Sequence, residues 1–315
     1  MATEKENVSV ITGEQSPVLY LSPEWLARVK SLELKARLVV EGFLVGLHRS
    51  PYKGFSVEFS EHRQYVPGDD PRRIDWKVYG RTRKLFIKEY RAETNLDAYF
   101  LIDSSASMVY GTPVTKIEYG GTCAAALALL LYLQGDRTGM IAVEEGGKEG
   151  VLLRARGRRQ DLARMYKEIS HLSRRKGAPL ETLLMRGADL LSKRSIEVGV
   201  SDFLSPLEDI RQGLGKLRHR GHDVILLWVM SEEERRFPFS QPSIFIEPES
   251  GRRIITEPDA IRASYMSALA EHRKGLNGIA RDMMMDIVEL GTGENYTATL
   301  NNFLEMRSRG RGSTR

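Results

Sequence analysis

YFLIDSSASM, Tyr99 to Met108, is the stretch whose reading decides the fold. An apolar and aromatic run ends in an aspartate, and serines follow at two-residue spacing. Asp103, Ser105 and Ser107 thus spell Asp-x-Ser-x-Ser. A short apolar run closed by a polar turn reads as a buried strand of a parallel sheet. Ligands of such sheets sit beyond the carboxyl ends of the strands. A carboxylate and two hydroxyls there offer only hard oxygen donors, which suit Mg²⁺ and exclude soft metals. Such a device can bind without any catalytic group.

Working outward, Asp97–Ile102 is the strand that ends in this turn, and Lys116–Gln134, rich in Ala and Leu, is a helix. Thr138–Glu144 reads as a strand that pairs with Val151–Arg154 across Gly146-Gly147. Helices are expected at Arg159–Leu172, Leu180–Lys193, Leu207–Arg218 and Pro258–Met285, and strands at Ile196–Ser201, Asp223–Met230 and Asp286–Leu290. Weak strands near Ile244–Ile246 and Arg253–Ile255 and a last helix at Ala298–Met306 complete the pattern. This alternation predicts an α/β fold with a doubly wound, mostly parallel sheet. Upstream, Ser22-Pro23-Glu24 is a helix start, and apolar spacing predicts one helix up to about Gly46. Leu85–Tyr90 alternates like a strand and is expected to be an antiparallel neighbour of Asp97–Ile102 or to form an exchanged pair with it across a sheet corner, giving the sheet an N-terminal helix and strand-containing extension. The organisation read from this is a flexible N-terminus over 1–21, the extension over 22–95, the α/β domain over 96–306 and a disordered basic tail over 307–315.

The totals narrow the function. Hydrophobic residues make up 41% and charged residues 28% of 315, the balance of a globular protein. No uninterrupted apolar run reaches the roughly 20 residues of a membrane span. The N-terminus shows no signal-peptide pattern. The single cysteine, Cys123, forbids an intramolecular disulfide and fits a reducing compartment, so a cytoplasmic location is expected. Its neighbours are Gly and Ala, which favours a packed helix position over a nucleophile. Net charge is +5, with arginines gathered at Arg154, Arg156, Arg158 and Arg159 and in the tail. Such runs suit solvated faces more often than nucleic acid. The glycine turns carry neither a Walker signature nor a dinucleotide fingerprint, which argues against nucleotide chemistry.

An open α/β sheet with Asp-x-Ser-x-Ser after a buried strand resembles the von Willebrand factor A domain. The resemblance implies a metal-ion-dependent adhesion site, with Mg²⁺ held by Asp103, Ser105 and Ser107, by a threonine from a second loop, and by an aspartate after a later strand. Asp202 follows Ile196–Ser201 and takes the last role. The metal is then a bridge to a partner's carboxylate rather than a catalyst. The threonine is missing: the matching turn reads Gly177-Ala178-Pro179-Leu180, and Thr182 lies inside the next helix. A competent Mg²⁺ site and a metal-free relic both stay open on this donor count.

A more specific resemblance lies upstream. Gly54, Glu58-Phe59, Arg63-x-Tyr65, Pro67-Gly68-Asp69-Asp70, Arg72-Arg73-Ile74-Asp75-Trp76-Lys77, Arg81-Thr82 and Glu93 resemble the family known as domain of unknown function 58. The likeness continues through Asp103–Met108 and Asp136-Arg137-x-Gly139 and covers roughly residues 40 to 300. It implies an A-domain-like fold and association with a MoxR-type AAA+ ATPase. By its own chemistry Pro67–Pro71 is a turn. The interleaved arginines favour a structural ion-pair network with Glu58, Asp69, Asp70 and Asp75, while a metal-dependent hydrolase site is the sharper alternative. Trp76 and Tyr79 are expected to anchor this segment on the sheet.

Together these features point to a non-catalytic scaffold or adaptor, not an enzyme, that binds a MoxR-type ATPase and an unidentified client protein. The alternatives are a nucleic-acid-binding A-domain protein and a hydrolase using Asp69, Asp70 and Asp75.

Overall fold

The computed structural model describes residues 22–47, 62–65, 74, 76–88, 96–147, 149–191 and 193–301. The acidic residues Glu58, Asp69, Asp70 and Asp75, the N-terminal stretch 1–21 and the tail 307–315 lie outside the described residues.

The chain opens with α1 (Pro23–Ala27) and α2 (Leu32–Leu47). The single helix expected here is two, because a second start lies within it. Ser31 Oγ accepts the Leu34 N–H just as Ser22 Oγ accepts that of Trp25, both at 3.3 Å. Next come β1 (His62–Gln64), α3 (Trp76–Thr82) and β2 (Phe86–Lys88). β2 pairs antiparallel with β1 in a separate two-stranded sheet, and not with Asp97–Ile102 as its position in sequence implied. Trp76 is 62% exposed and meets Tyr79 edge to face at 6.1 Å, so it is not the sheet anchor that its size suggested.

From residue 97 the expected alternation appears. The elements are β3 (Asp97–Ile102), α4 (Lys116–Leu133), β4 (Arg137–Val143), β5 (Glu149–Arg156), α5 (Arg159–Leu172), α6 (Leu180–Leu190), β6 (Ile196–Ser201), α7 (Leu207–His219) and β7 (Asp223–Met230). There follow α8 (Glu232–Arg236), the hairpin strands β8 (Ser243–Ile246) and β9 (Arg253–Thr256), α9 (Pro258–Asp282) and β10 (Asp286–Gly291). The main sheet has the order β10-β7-β6-β3-β4-β5, parallel throughout except for β5 at the edge, which runs antiparallel to β4.

Both faces of this sheet are covered, as parallel sheets require. One buried cluster joins Phe100, Ile102, Val198 and Val200 to Val39 and Phe43 of α2, Tyr119 of α4 and Met165 of α5. The other joins Leu101, Ile141, Leu226 and Trp228 to Leu184 of α6, Leu214 of α7 and Leu276 of α9. Helix α4 is long and apolar enough to cross a membrane by composition, yet 67% of it is buried inside the protein. Small residues let it lie close: a Cβ at Gly120 would sit 2.7 Å from Val200, and one at Gly121 2.8 Å from Ile169. Cys123 is buried on this helix, and burial followed by the Glu294 charge pushes its thiol far above the ordinary range. It is a packing residue.

The chain leaves β3 toward β4 and β5 on one side, and β6 leads to β7 and β10 on the other. The adjacent carboxyl ends of β3 and β6 therefore form the topological switch point, where open α/β sheets bind ligands. Asp103 and Asp202 are the residues that follow these two strands.

Candidate functional site

Asp103 is 2% and Asp202 4% exposed at this crevice. Asp103 Oδ1 accepts the N–H of Ser105 at 2.8 Å, and its Oδ2 accepts the hydroxyl of Ser201 at 2.6 Å. Ser201 also accepts the N–H of Phe203 at 3.0 Å, so one hydroxyl ties the turn after β6 to the turn after β3. Phe203 holds a left-handed φ of 45° and is fully buried, with its carbonyl oxygen 2.6 Å from His272 Nε2. A bulky residue in that region is strained and needs a surrounding that over-determines it. Ser105 and Ser107 place their hydroxyls 3.2 Å apart, and the N–H of Ser107 donates to Glu249 Oε1 at 3.0 Å. Glu249 comes from the turn of the β8–β9 hairpin. The structure thus brings Asp103, Ser105, Ser107 and Asp202 to one end of the sheet, as the sequence predicts.

The second loop also arrives there. The N–H of Gly177 donates to Ser104 O at 3.0 Å. A Cβ on Gly177 would overlap Ser104, with the carbonyl oxygen and hydroxyl of that residue at 2.5 Å. Ala178, where the resemblance places a threonine, is 3% exposed and has no hydroxyl to give.

The main residue missed in the sequence is Lys116. It is the first residue of α4, and its side chain is 0% exposed. Its Nζ lies 2.7 Å from Asp202 Oδ2 and 2.5 Å from Glu234 Oε1. Glu234 is set in place by a capping box at α8, where Ser231 Oγ accepts its N–H and its Oε2 accepts that of Ser231. Burial works against a charged Lys116, but Asp202 and Glu234 together outweigh it and hold the ammonium above its ordinary pKa. Asp103 does not share this cation. Burial, then the Asp202 charge, pushes its carboxyl up to about 6 against the opposing hydrogen bonds.

Mg²⁺ asks for oxygen donors in a near-octahedral shell at about 2.0–2.1 Å. Here each of the six carboxylate oxygens of Asp103, Asp202 and Glu234 already accepts a hydrogen bond. Among the described residues, no group of three or more His, Cys, Asp and Glu side chains is arranged to hold a metal ion. With the Lys116 ammonium already on Asp202 Oδ2 and no hydroxyl at Ala178, the residues as arranged do not fit a resident Mg²⁺.

Two cavities lie elsewhere, one of about 10 Å³ against β4 and β5 and one of about 140 Å³ between α2, α4 and α5. Both are well below the roughly 300 Å³ at which ligand pockets begin. Beside the exposed Glu249, the carboxyl-end face presents three apolar side chains: Val109 at 43%, Tyr110 at 40% and Leu204 at 43% exposure. At the other end of the sheet, His222 and Glu197 form a fully buried cluster with Ser195, His222 Nδ1 lying 2.9 Å from Glu197 Oε1 and 3.0 Å from Ser195 Oγ. Without access to solvent, this cluster is structural. The exposed Arg154 and Arg156 lie on the edge strand β5, where charge blunts edge-to-edge pairing, and Arg158 is bonded to Asp161 at 2.7 Å.

The family described as "Protein of unknown function DUF58" matches residues 61–275. The chain belongs to this family. Two uncharacterised proteins, of Mycobacterium bovis and of Mycobacterium tuberculosis, are each 29% identical over 295 residues, covering 91% of this chain and 91% of their own. Among solved structures, a conserved hypothetical protein BatB from Bacteroides thetaiotaomicron is similar at TM-score 0.44 and 16% identity, covering 69% of this chain and 100% of its own. An aerotolerance-related membrane protein from Bacteroides fragilis follows at TM-score 0.40 and 13% identity, with coverage of 67% and 97%.

Proposed function

We propose that this chain is a non-catalytic scaffold, von Willebrand factor A-like in architecture, which docks a partner protein on the carboxyl-end face of its sheet. The observation that carries the reading is the contrast at that face. Its polar centre is closed, with both carboxylate oxygens of Asp103, Asp202 and Glu234 bonded internally, and its rim exposes Val109, Tyr110 and Leu204. Acid–base or nucleophilic catalysis needs a group in reach of substrate and poised for transfer. Protein contacts are carried by a few apolar and aromatic side chains that a partner can bury, held on an ordered surface. The face has the second set of features.

The partner we propose, from the family resemblance, is a MoxR-type AAA+ ATPase acting in the cytoplasm on a client protein. The test is binding of the full chain to such an ATPase, measured for wild type and for the double variant Tyr110→Asp/Leu204→Asp. Loss of two rim anchors is expected to weaken binding by at least about tenfold. Equal affinity of the two would remove the rim from the contact. Nucleic acid on the arginine-bearing edge is the competing reading. A filter-binding series would support it only through affinity that falls steeply with salt.

A further inference from the structure

Lys116 combines features that each count against a lysine. A fully buried lysine is rare. A cation at the first position of an 18-residue helix faces the positive end of the helix dipole. The long side chain also gives up its rotamer freedom to be held at 0% exposure. What compensates is the pair of carboxylates, Asp202 from the end of β6 and Glu234 from the first turn of α8, which meet on one ammonium. The three groups come from three separate elements at the switch point, the start of α4, the end of β6 and the first turn of α8, and the positive charge lies where they converge.

We propose that the ammonium of Lys116 is the resident cation of this site. It joins Asp202 to Glu234 and takes up the aspartate that the resemblance assigned to Mg²⁺, and the carboxyl-end face works without a divalent metal. Ala178 in place of a threonine fits this, because a covalently tethered cation needs no ligand from the second loop. Removing the ammonium leaves two carboxylates aimed at one vacated position, the number with which proteins commonly hold Mg²⁺ or Mn²⁺ alongside water. The inference stands apart from the docking reading, since its test involves no partner.

The experiment is a Mn²⁺ titration of the purified full chain, followed by electron paramagnetic resonance, on wild type, Lys116→Ala and Lys116→Ala/Asp202→Asn. Wild type is expected to show no specific site, and Lys116→Ala one site at least about tenfold tighter, which the added Asp202→Asn abolishes. Two results would overturn the proposal: a Mn²⁺ site in wild type that Asp202→Asn removes, or a folded Lys116→Ala that binds no more tightly than wild type. Should Lys116→Ala fail to fold, wild type alone decides. Its thermal midpoint should be the same in EDTA and in millimolar Mg²⁺, and a midpoint raised by Mg²⁺ in wild type but not in Asp202→Asn would sink the idea.

Discussion

The hydroxyl of Ser201 donates to Asp103 Oδ2 at 2.6 Å and thereby joins the last residue of β6 to the residue that follows β3. This bond is the shortest link across the switch point between the two strand ends, and it holds a carboxyl group whose burial works against its charge.

A pH dependence follows from Asp103. Its carboxyl titrates at about 6 in the folded chain against 3.8 for the free side chain, chiefly through burial and then through Asp202. The folded state therefore binds the proton more tightly than the unfolded state. The Asp103 contribution is fully present below about pH 4 and is lost as pH rises through 6. Its full span is on the order of 3 kcal/mol. Asp103→Asn removes the charge while keeping an acceptor for the Ser105 N–H. Urea unfolding should find the variant more stable than wild type by about 2 kcal/mol at pH 7.5, with the gain gone near pH 4. A variant less stable at both values would show that the charged carboxylate is well solvated in place.

Gly177 is where the second loop touches the first. An added methyl group overlaps Ser104 and displaces the bond from Gly177 N–H to Ser104 O. Backbone cannot yield as a flexible side chain does, so Gly177→Ala should cost about 2 kcal/mol in denaturant unfolding. Gly146, whose Cβ would meet nothing within 4 Å, is a contrast of another kind, since its φ of 81° makes the cost there purely conformational. A loss at Gly177 no larger than about 0.5 kcal/mol would mean that the two loops separate easily.

The buried pair at the opposite end of the sheet makes a third case. Glu197 is 1% and His222 0% exposed in their side chains, and His222 Nε2 has no hydrogen-bond partner among the described residues. Removing one member strands the other. His222→Leu should therefore cost about 3 kcal/mol, and adding Glu197→Met should recover at least about half of it. Simple additivity in this double-mutant cycle would show that the two groups act independently.

Much of the fold is legible in the sequence where local pattern and tertiary role coincide. Ile196–Ser201 and Asp223–Met230 are apolar runs closed by polar residues, and both strands lie where those runs stand. Asp103 and Asp202 are legible because a strand end fixes their place. Pairing is harder: β2 joins β1 rather than β3, and chain adjacency alone cannot distinguish the two. Lys116 was hidden for a similar reason. A charged residue at a helix start looks like a solvated one, and its burial depends on Asp202, 86 residues away, and Glu234, 118 residues away. Its one local signal is that it opens the most apolar helix of the chain. Ser201 looked like the plain end of a strand until β6 lay beside β3.

The central claim, that the carboxyl-end face is a docking surface, is tested most directly by amide hydrogen exchange on the full chain with and without a MoxR-type AAA+ ATPase. The account predicts exchange slowed by at least about fivefold over residues 105–110 and 203–204 in the complex, while β5 and its arginines are unchanged. Protection confined to β5, or to α1 and α2, with residues 105–110 and 203–204 exchanging as before, would contradict it.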